Sequence, residues 1–313
     1  MDNLIVSLSA VMTMAIPLMI GIVLRLLKVL DKDFSTTVNK VVYSVCLPTS
    51  LACSVYQSDL RGAKFPFGAV ALIVGLLVAG VVLMVFLAPR IIKDRPKAGS
   101  VAQGVLRGNA SIYGLPVAIA LYGSENIGVF CLIMVVGIVC FNVMSIFIFS
   151  ILGTQKSNPK KVLIAIGKNP NIWGILIGLA LNLLGLELPG MLYDPINAVG
   201  KMVTPLCFIG IGSSFSIMSL RKNLPYISLV SLGKLVIYPL IAITLGALLG
   251  FRGEVLLSFL AIFAMPCAVA SYAMAERLGG DGPLAAQCVM VTSILSILTI
   301  FLWLFVLKSL QLL

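Results

Sequence analysis

Chemistry at a protein site needs particular side chains in particular pairings. The chain has 313 residues and no histidine, so a Ser-His-Asp triad, a histidine proton relay and a histidine metal site are excluded. Its eleven carboxylates are Asp2, Asp31, Asp33, Asp59, Asp94, Glu125, Glu187, Asp194, Glu254, Glu276 and Asp281, and none lies deep inside an apolar run. Buried carboxylates are the usual carriers of proton and sodium coupling in membranes, so their absence argues against a carboxylate-based pump. The seven cysteines (Cys46, Cys53, Cys131, Cys140, Cys207, Cys267 and Cys288) fall within apolar runs and lack metal-ligand spacing. They read as small buried hydrophobes, with no disulfide and no metal site. No nucleophile stands beside a base and there is no phosphate loop, so neither an enzyme nor a cofactor is expected.

What remains is two polar interruptions and one lysine. The first interruption, Leu106 to Gly123, carries Gly108, Asn109, Ser111, Tyr113, Gly114 and Pro116. The second, Ala261 to Met274, carries Pro266 at its centre with Cys267 and Ser271 beyond it. Both are poor helices in a chain that is otherwise nearly all apolar helix. Lys234, in Leu232-Gly233-Lys234-Leu235-Val236-Ile237-Tyr238-Pro239, is the one basic residue read as lying well inside a span.

The elements that must position these residues follow from composition. The chain is 60% hydrophobic and 11% charged, with a mean hydropathy of +1.13, whereas soluble domains carry about 25% charged residues. Apolar runs of ~20 residues, enough to cross ~30 Å of hydrocarbon, recur along its length. The class is an all-α membrane protein, and Asp2 with no basic residues ahead of the first apolar run argues against a signal peptide. Ten transmembrane helices are expected, over 4–25, 39–56, 66–88, 101–122, 127–152, 171–187, 195–217, 224–250, 254–276 and 284–308. Pro17, Pro48, Pro205 and Pro239 fall inside spans and are expected to kink them.

A polar insert from Thr154 to Asn171, with Lys156, Lys160, Lys161 and Lys168, divides the chain into a first repeat over 1–155 and a second over 156–313. Ile20 to Leu27 matches Ile177 to Leu184 at five of eight positions, and Pro205 follows Pro48 at the same spacing (177 − 20 = 157). Pro116 and Pro266 would then be counterparts after a small deletion. Five spans per half is an odd number, so the second half enters from the opposite face and the repeat is inverted. With the N-terminus outside, inner segments hold sixteen Lys and Arg, Arg107 among them, and outer segments hold five (Arg61, Lys64, Lys201, Arg252 and Lys308). Both termini are therefore expected outside. The net charge of +11 is explained by this orientation bias rather than by nucleic acid.

A broken helix at membrane depth must be buried in protein or line a wet cavity. Discontinuous helices are also where transporters hold substrate, with positive N-terminal ends facing anionic groups. The candidate substrate-binding residues are therefore Asn109, Ser111, Tyr113, Gly114 and Pro116 from the first interruption, Pro266, Cys267 and Ser271 from the second, and Pro48. Thr292, Ser293, Ser296 and Gln287 could line the same cavity, although such groups more often bond within the helix bundle. Lys234 either has a structural role, capping carbonyls freed beside Pro239 or snorkelling, or balances charge in a moving part.

These residues resemble the auxin efflux carrier family, which includes plant auxin exporters and bacterial permeases. The matching pieces are Asn39-Lys40 with Leu47-Pro48, Gly108-Asn109 with Gly114-Leu115-Pro116, Asn169-Pro170, Pro205 to Gly212, Lys234 to Pro239, Pro266 with Ala275-Glu276, and Thr292 to Thr299. The resemblance implies the fold of the bile-acid sodium symporters, in which the fourth and ninth helices are broken and cross. It implies a scaffold of helices 1, 2, 6 and 7 and a transport domain of helices 3–5 and 8–10 that slides as an elevator. The sodium symporters place acidic and amide side chains at the ninth-helix crossover, where this chain has Ala264, Met265, Pro266 and Cys267.

The function expected is a secondary transporter for a small organic anion, auxin-like or dicarboxylate-like, in a bacterial inner membrane. Its partners are that anion and the lipid bilayer, not nucleic acid, with a homodimer as the candidate assembly. A sodium- or proton-coupled symporter and a non-transporting receptor are the rival readings. In whole cells, a thiol introduced at the C-terminus should react with an impermeant reagent, and one near Lys160 should be protected. The opposite labelling pattern would overturn the orientation.

Overall fold

The computed structural model describes residues 16–30, 34–57, 66–122, 127–154, 167–168, 170–213 and 217–313. The start of the first expected span and the insert over 155–166 lie outside these. Helix α1 is Ile16–Leu26. Helix α2 (Phe34–Val41) runs through a π turn, Val42–Cys46, into α3 (Leu47–Gln57). Then come α4 (Phe67–Ile91), α5 (Arg95–Leu106), a π turn Ala110–Gly114 leading into α6 (Leu115–Tyr122), and α7 (Gly128–Leu152). The second half holds α8 (Pro170–Leu184), α9 (Gly190–Lys201) and α10 (Val203–Ser213). Helix α11 (Ile217–Leu232) passes through a π turn, Gly233–Ile237, into α12 (Tyr238–Leu248). Helix α13 (Gly253–Phe259) ends in a π turn, Leu260–Ala264, and α14 (Ala270–Leu278) and α15 (Gly282–Ser309) complete the chain.

Among the described residues, four helices are long and apolar enough to cross a membrane: Phe67–Ile91, Gly128–Leu152, Leu220–Leu248 and Gly282–Ser309. Their outer faces are apolar. Val78, Val82, Leu83 and Phe86 on α4 are exposed, as are Leu298, Phe301, Leu302 and Phe305 on α15. Contiguous apolar surface of this extent suits lipid, not water. The inside is organised around the two interruptions, since every residue from Ala98 to Ala110 and from Leu256 to Ala275 is buried. A helix buried on all sides needs small residues where backbones approach. Helix α5 supplies Ala98, Gly99, Ser100, Ala102 and Gly104, and a Cβ on Gly104 would stand 3.0 Å from Val230.

Each of the four π turns among the described residues ends two residues before a proline: Pro48, Pro116, Pro239 and Pro266. Proline cannot donate to the carbonyl four residues back, and its ring crowds that carbonyl. A wider turn just ahead of the proline relieves the crowding. Pro48 and Pro239, expected as kinks, thus sit just beyond wide turns in helices that continue.

This pattern corrects the reading of the first interruption. Of Gly108, Gly114 and Pro116, only Gly108 stands where the helix breaks, because α5 ends at Leu106 and the π turn begins at Ala110. Pro116 is the second residue of α6 and behaves as Pro48 and Pro239 do. At Pro266 the helix does end. The first break therefore falls at Gly108, which pairs with Cys267 in an isolated antiparallel bridge, and not at Pro116.

Several glycines bring helices into backbone contact, Gly21 and Gly178 among them. A Cβ on Gly21 would stand 2.3 Å from the Ile209 carbonyl oxygen, and one on Gly178 would stand 2.3 Å from that of Ala52. Overpacking generally costs about 1–3 kcal/mol, and backbone on the far side leaves little room to yield. Gly178→Val should therefore lower the melting temperature of the purified protein by several degrees. An unchanged melting curve would show that α3 and α8 are not in this contact.

Candidate functional site

Breaking two helices inside a bundle frees backbone groups that must find partners. Here the breaks satisfy each other. The Asn109 amide N–H donates to the Pro266 carbonyl at 2.8 Å, and the Ala268 N–H donates to the Arg107 carbonyl at 3.2 Å. The Cys267 N–H donates to Thr292 Oγ1 at 3.1 Å, and the Cys267 thiol to the Gly104 carbonyl at 3.1 Å. Two further carbonyls, Leu106 at the end of α5 and Ile262 at the end of the α13 segment, accept from Lys234 Nζ at 3.3 and 3.1 Å. Lys234 is fully buried.

Lys234 was expected to cap carbonyls beside Pro239 or to balance charge. The carbonyl that Pro239 deprives of its helical donor is that of Leu235, and it takes the indole N–H of Trp303 at 3.0 Å. Lys234 instead ties together the C-terminal ends of the two half-helices. Gly108 makes this approach available, since a Cβ there would stand 2.8 Å from the Ile262 oxygen and 2.9 Å from Lys234 Nζ.

The N-terminal ends face the other way. A cavity of about 360 Å³ is lined by Arg107, Gly108, Asn109 and Ala110 from the first break and by Ala268, Val269 and Ala270 from the second. Ile138, Phe141 and Asn142 of α7 form another wall. Leu47, Ser50 and Leu51 of α3, with Gly200 and Lys201 of α9 and Val203, Thr204 and Pro205 of α10, close it. Both the turn entering α6 and the start of α14 open into it. Such ends carry partial positive charge.

The side chains add to that charge. Arg107 is buried and lines the cavity. Its Nη1 donates to Ser145 Oγ at 3.2 Å and contacts the Met274 sulfur, and its Nε has no hydrogen-bond partner. Asn109 is buried with its amide Nδ2 unpartnered, and Asn142 has an unpartnered Oδ1. Among the described residues no carboxylate lines the cavity. Among the described residues the buried charged side chains are Arg107 and Lys234 alone, and the one ion pair is Lys97–Asp94.

The other candidates fall in different places. Cys267 and Pro266 form the bridge itself and do not line the cavity. Tyr113 is buried and does not line the cavity. Gly114 packs closely against the π turn that follows α13, since a Cβ built there would meet the Ala261 side chain at 2.6 Å. Ser271 is buried in the first turn of α14 with its hydroxyl unpartnered. Pro48 packs its carbonyl against Gly174, while its neighbour Leu47 reaches the cavity. The side chains of Ser111 and Pro116 lie outside the described residues. Thr292 and Ser296 donate to the carbonyls of Cys288 and Ser293 within their own helix, and Gln287 accepts from Asn223 at 2.8 Å.

Sequence reasoning missed Arg107 and Asn142. Arg107 was counted as an orientation charge, although it falls inside the expected span 101–122. The rule that marks an intramembrane charge as functional, applied there to Lys234, applies equally to it. Asn142 is an amide in the middle of the 25-residue apolar helix α7, three positions before Ser145 and so on the same face.

A bundle of long apolar helices around a polar cavity at two broken helices is a multi-pass membrane transport protein. Residues 6–304 match the family described as Membrane transport protein, and the chain belongs to that family, the auxin efflux carrier family its motifs resemble. It is similar to an uncharacterized transporter of Methanothermobacter thermautotrophicus, 26% identical over 299 residues that cover 95% of this chain and 97% of that one. It is also similar to an uncharacterized transporter of Methanocaldococcus jannaschii, 21% identical over 312 residues covering 95% and 98%.

Gly108→Ala should disturb the crossover without changing any charge, because its Cβ meets the Ile262 carbonyl and Lys234 Nζ at once. Transport activity should fall severalfold while the protein still inserts. Parental activity in proteoliposomes would show that the two breaks are not packed this closely.

Proposed function

We propose that the protein is a secondary transporter that carries a small organic anion across the cell membrane by alternating access of the elevator type. The observation that carries this reading is that the buried Arg107 lines the cavity, in which no described carboxylate takes part. An uncompensated buried charge is costly, and an anion that enters the cavity supplies the missing partner. Two half-helix N-terminal ends and the unpartnered Asn109 amide point to the same charge sign, and Lys201 adds a cation to the lining. A cavity of about 360 Å³ suits a small carboxylate, auxin-like or dicarboxylate-like.

The elevator reading groups α1–α3 with α8–α10 as scaffold and α4–α7 with α11–α15 as transport domain. The cavity walls divide along that boundary, with both breaks and α7 on one side and α3, α9 and α10 on the other. An inverted repeat over 1–155 and 156–313 is supported by the two glycine contacts. Gly178 follows Gly21 at the 157-residue repeat spacing, and Ile209 follows Ala52 at the same spacing. The Gly21–Ile209 and Gly178–Ala52 contacts therefore exchange under one pseudo-two-fold operation, as an inverted repeat requires. The orientation with both termini outside rests on the charge bias, which survives the removal of Arg107 from the inner count.

The test is a thermal-shift and calorimetric screen of purified protein against acetate, malonate, succinate and indole-3-acetate, followed by uptake into proteoliposomes. A charge-assisted hydrogen bond contributes about 1.5–3 kcal/mol, and each 1.4 kcal/mol is tenfold in affinity. Arg107→Gln should thus weaken binding of the carboxylate that stabilises the parent by about 10- to 150-fold. Asn109→Asp should abolish it, because the new carboxylate would neutralise Arg107 and repel the ligand. Undiminished binding by both variants would place the site elsewhere.

A further inference from the structure

Arg107 has a cavity to act in. Lys234 has none, and its role requires a separate account. Its ammonium group has three N–H donors. Two point at Leu106 and Ile262 carbonyls that belong to different half-helices and lie far apart in sequence. The third side faces the ring of Phe141, 5.9 Å from Nζ to the centroid, within reach of a cation–π contact. No described carboxylate pairs with it. A cation held by the carbonyl ends of two broken helices, with an aromatic plate on its open side, has the surroundings in which discontinuous helices generally hold a diffusible coupling cation. Here the cation is part of the chain.

We infer that Lys234 is a tethered cation that takes the place of a diffusible one at the crossover, and that it positions the anion site through the Leu106 carbonyl. Leu106 is the residue before Arg107, and Asn109 is three residues on. Fixing the Leu106 and Ile262 carbonyls therefore fixes where the Arg107 guanidinium and the Asn109 amide stand. Phe141 lies between the ammonium and the anion cavity that it also lines, so Lys234 acts through the backbone rather than by touching the ligand. The positioning role rests on the anion-carrier reading, whereas the tethered-cation role does not. Two consequences follow. The protein as it stands binds its anion equally in sodium and in a large organic cation that cannot enter. Removal of the lysine leaves a cation-shaped vacancy between two carbonyls.

The experiment compares the parent protein with Lys234→Ala and Lys234→Met. Lys234→Ala removes both stem and charge, and Lys234→Met keeps the stem's bulk without a donor. The first readout is melting temperature with sodium, N-methylglucamine, butylammonium or neutral butanol, which needs no anion ligand. The Ala variant should melt well below the parent and recover with increasing butylammonium but not with butanol, and the Met variant should not recover. The second readout is malonate and indole-3-acetate binding under the same conditions. The Ala variant should lose at least tenfold in affinity and regain it with butylammonium, while the parent binds alike in sodium and N-methylglucamine. If the Ala variant cannot be purified, the parent's indifference to sodium and the Met variant's loss of affinity carry the test. The inference is overturned if butylammonium does nothing for the Ala variant, if the Met variant matches the parent, or if the parent needs sodium. Failure of the parent to bind any carboxylate, with butylammonium still restoring the melting temperature of the Ala variant, would overturn the anion reading and the positioning role while leaving the tethered cation in place.

Discussion

The interior of a membrane protein offers backbone groups no water, and this one constraint organises the crossover. Two helices are interrupted where every surrounding residue is buried, so each freed N–H and C=O must be met by protein. The two breaks meet by pairing with each other through Gly108 and Cys267, and the carbonyls left over converge on a single lysine. If any one of these partners were missing, a buried polar group would be left unpaired, at a general cost of about 1–3 kcal/mol.

Charge follows from the same geometry. Four half-helix ends come together, and they are sorted by sign. The two carbonyl ends turn towards Lys234, and the two amide ends turn towards the cavity. Arg107 and Asn109 stand on the cavity side of that division, so the cavity is positive from both backbone and side chains. The separation is short, with Phe141 lining the cavity on one side and facing the ammonium on the other.

The prolines have a structural role distinct from the breaks. At Pro48, Pro116 and Pro239 a wide turn absorbs the missing hydrogen bond and the helix goes on, whereas at Pro266 it stops. The difference lies in what waits beyond the proline. After Pro266 the chain is drawn out of helix by the hydrogen bonds from Asn109 to its carbonyl and from the Cys267 N–H to Thr292. The other three prolines are followed by continued helix with no such claim on their backbone.

Much of the architecture is legible in the residues themselves, because apolar runs of membrane-spanning length, a net basic bias in short loops and polar residues within apolar runs are one-dimensional signals. The sequence alone pointed to an all-helical membrane protein, with special stretches at 106–123 and 261–274 and an anomalous lysine at 234. Only the tertiary structure decided that Arg107 is a core charge rather than a loop charge, that Gly108 and not Pro116 faces Cys267, and that Lys234 serves carbonyls more than a hundred positions away at Leu106. Those facts depend on which helix lies beside which. A buried cation and a snorkelling one, or a proline that breaks a helix and one that widens it, have the same local sequence and differ only in the partners that packing brings to them.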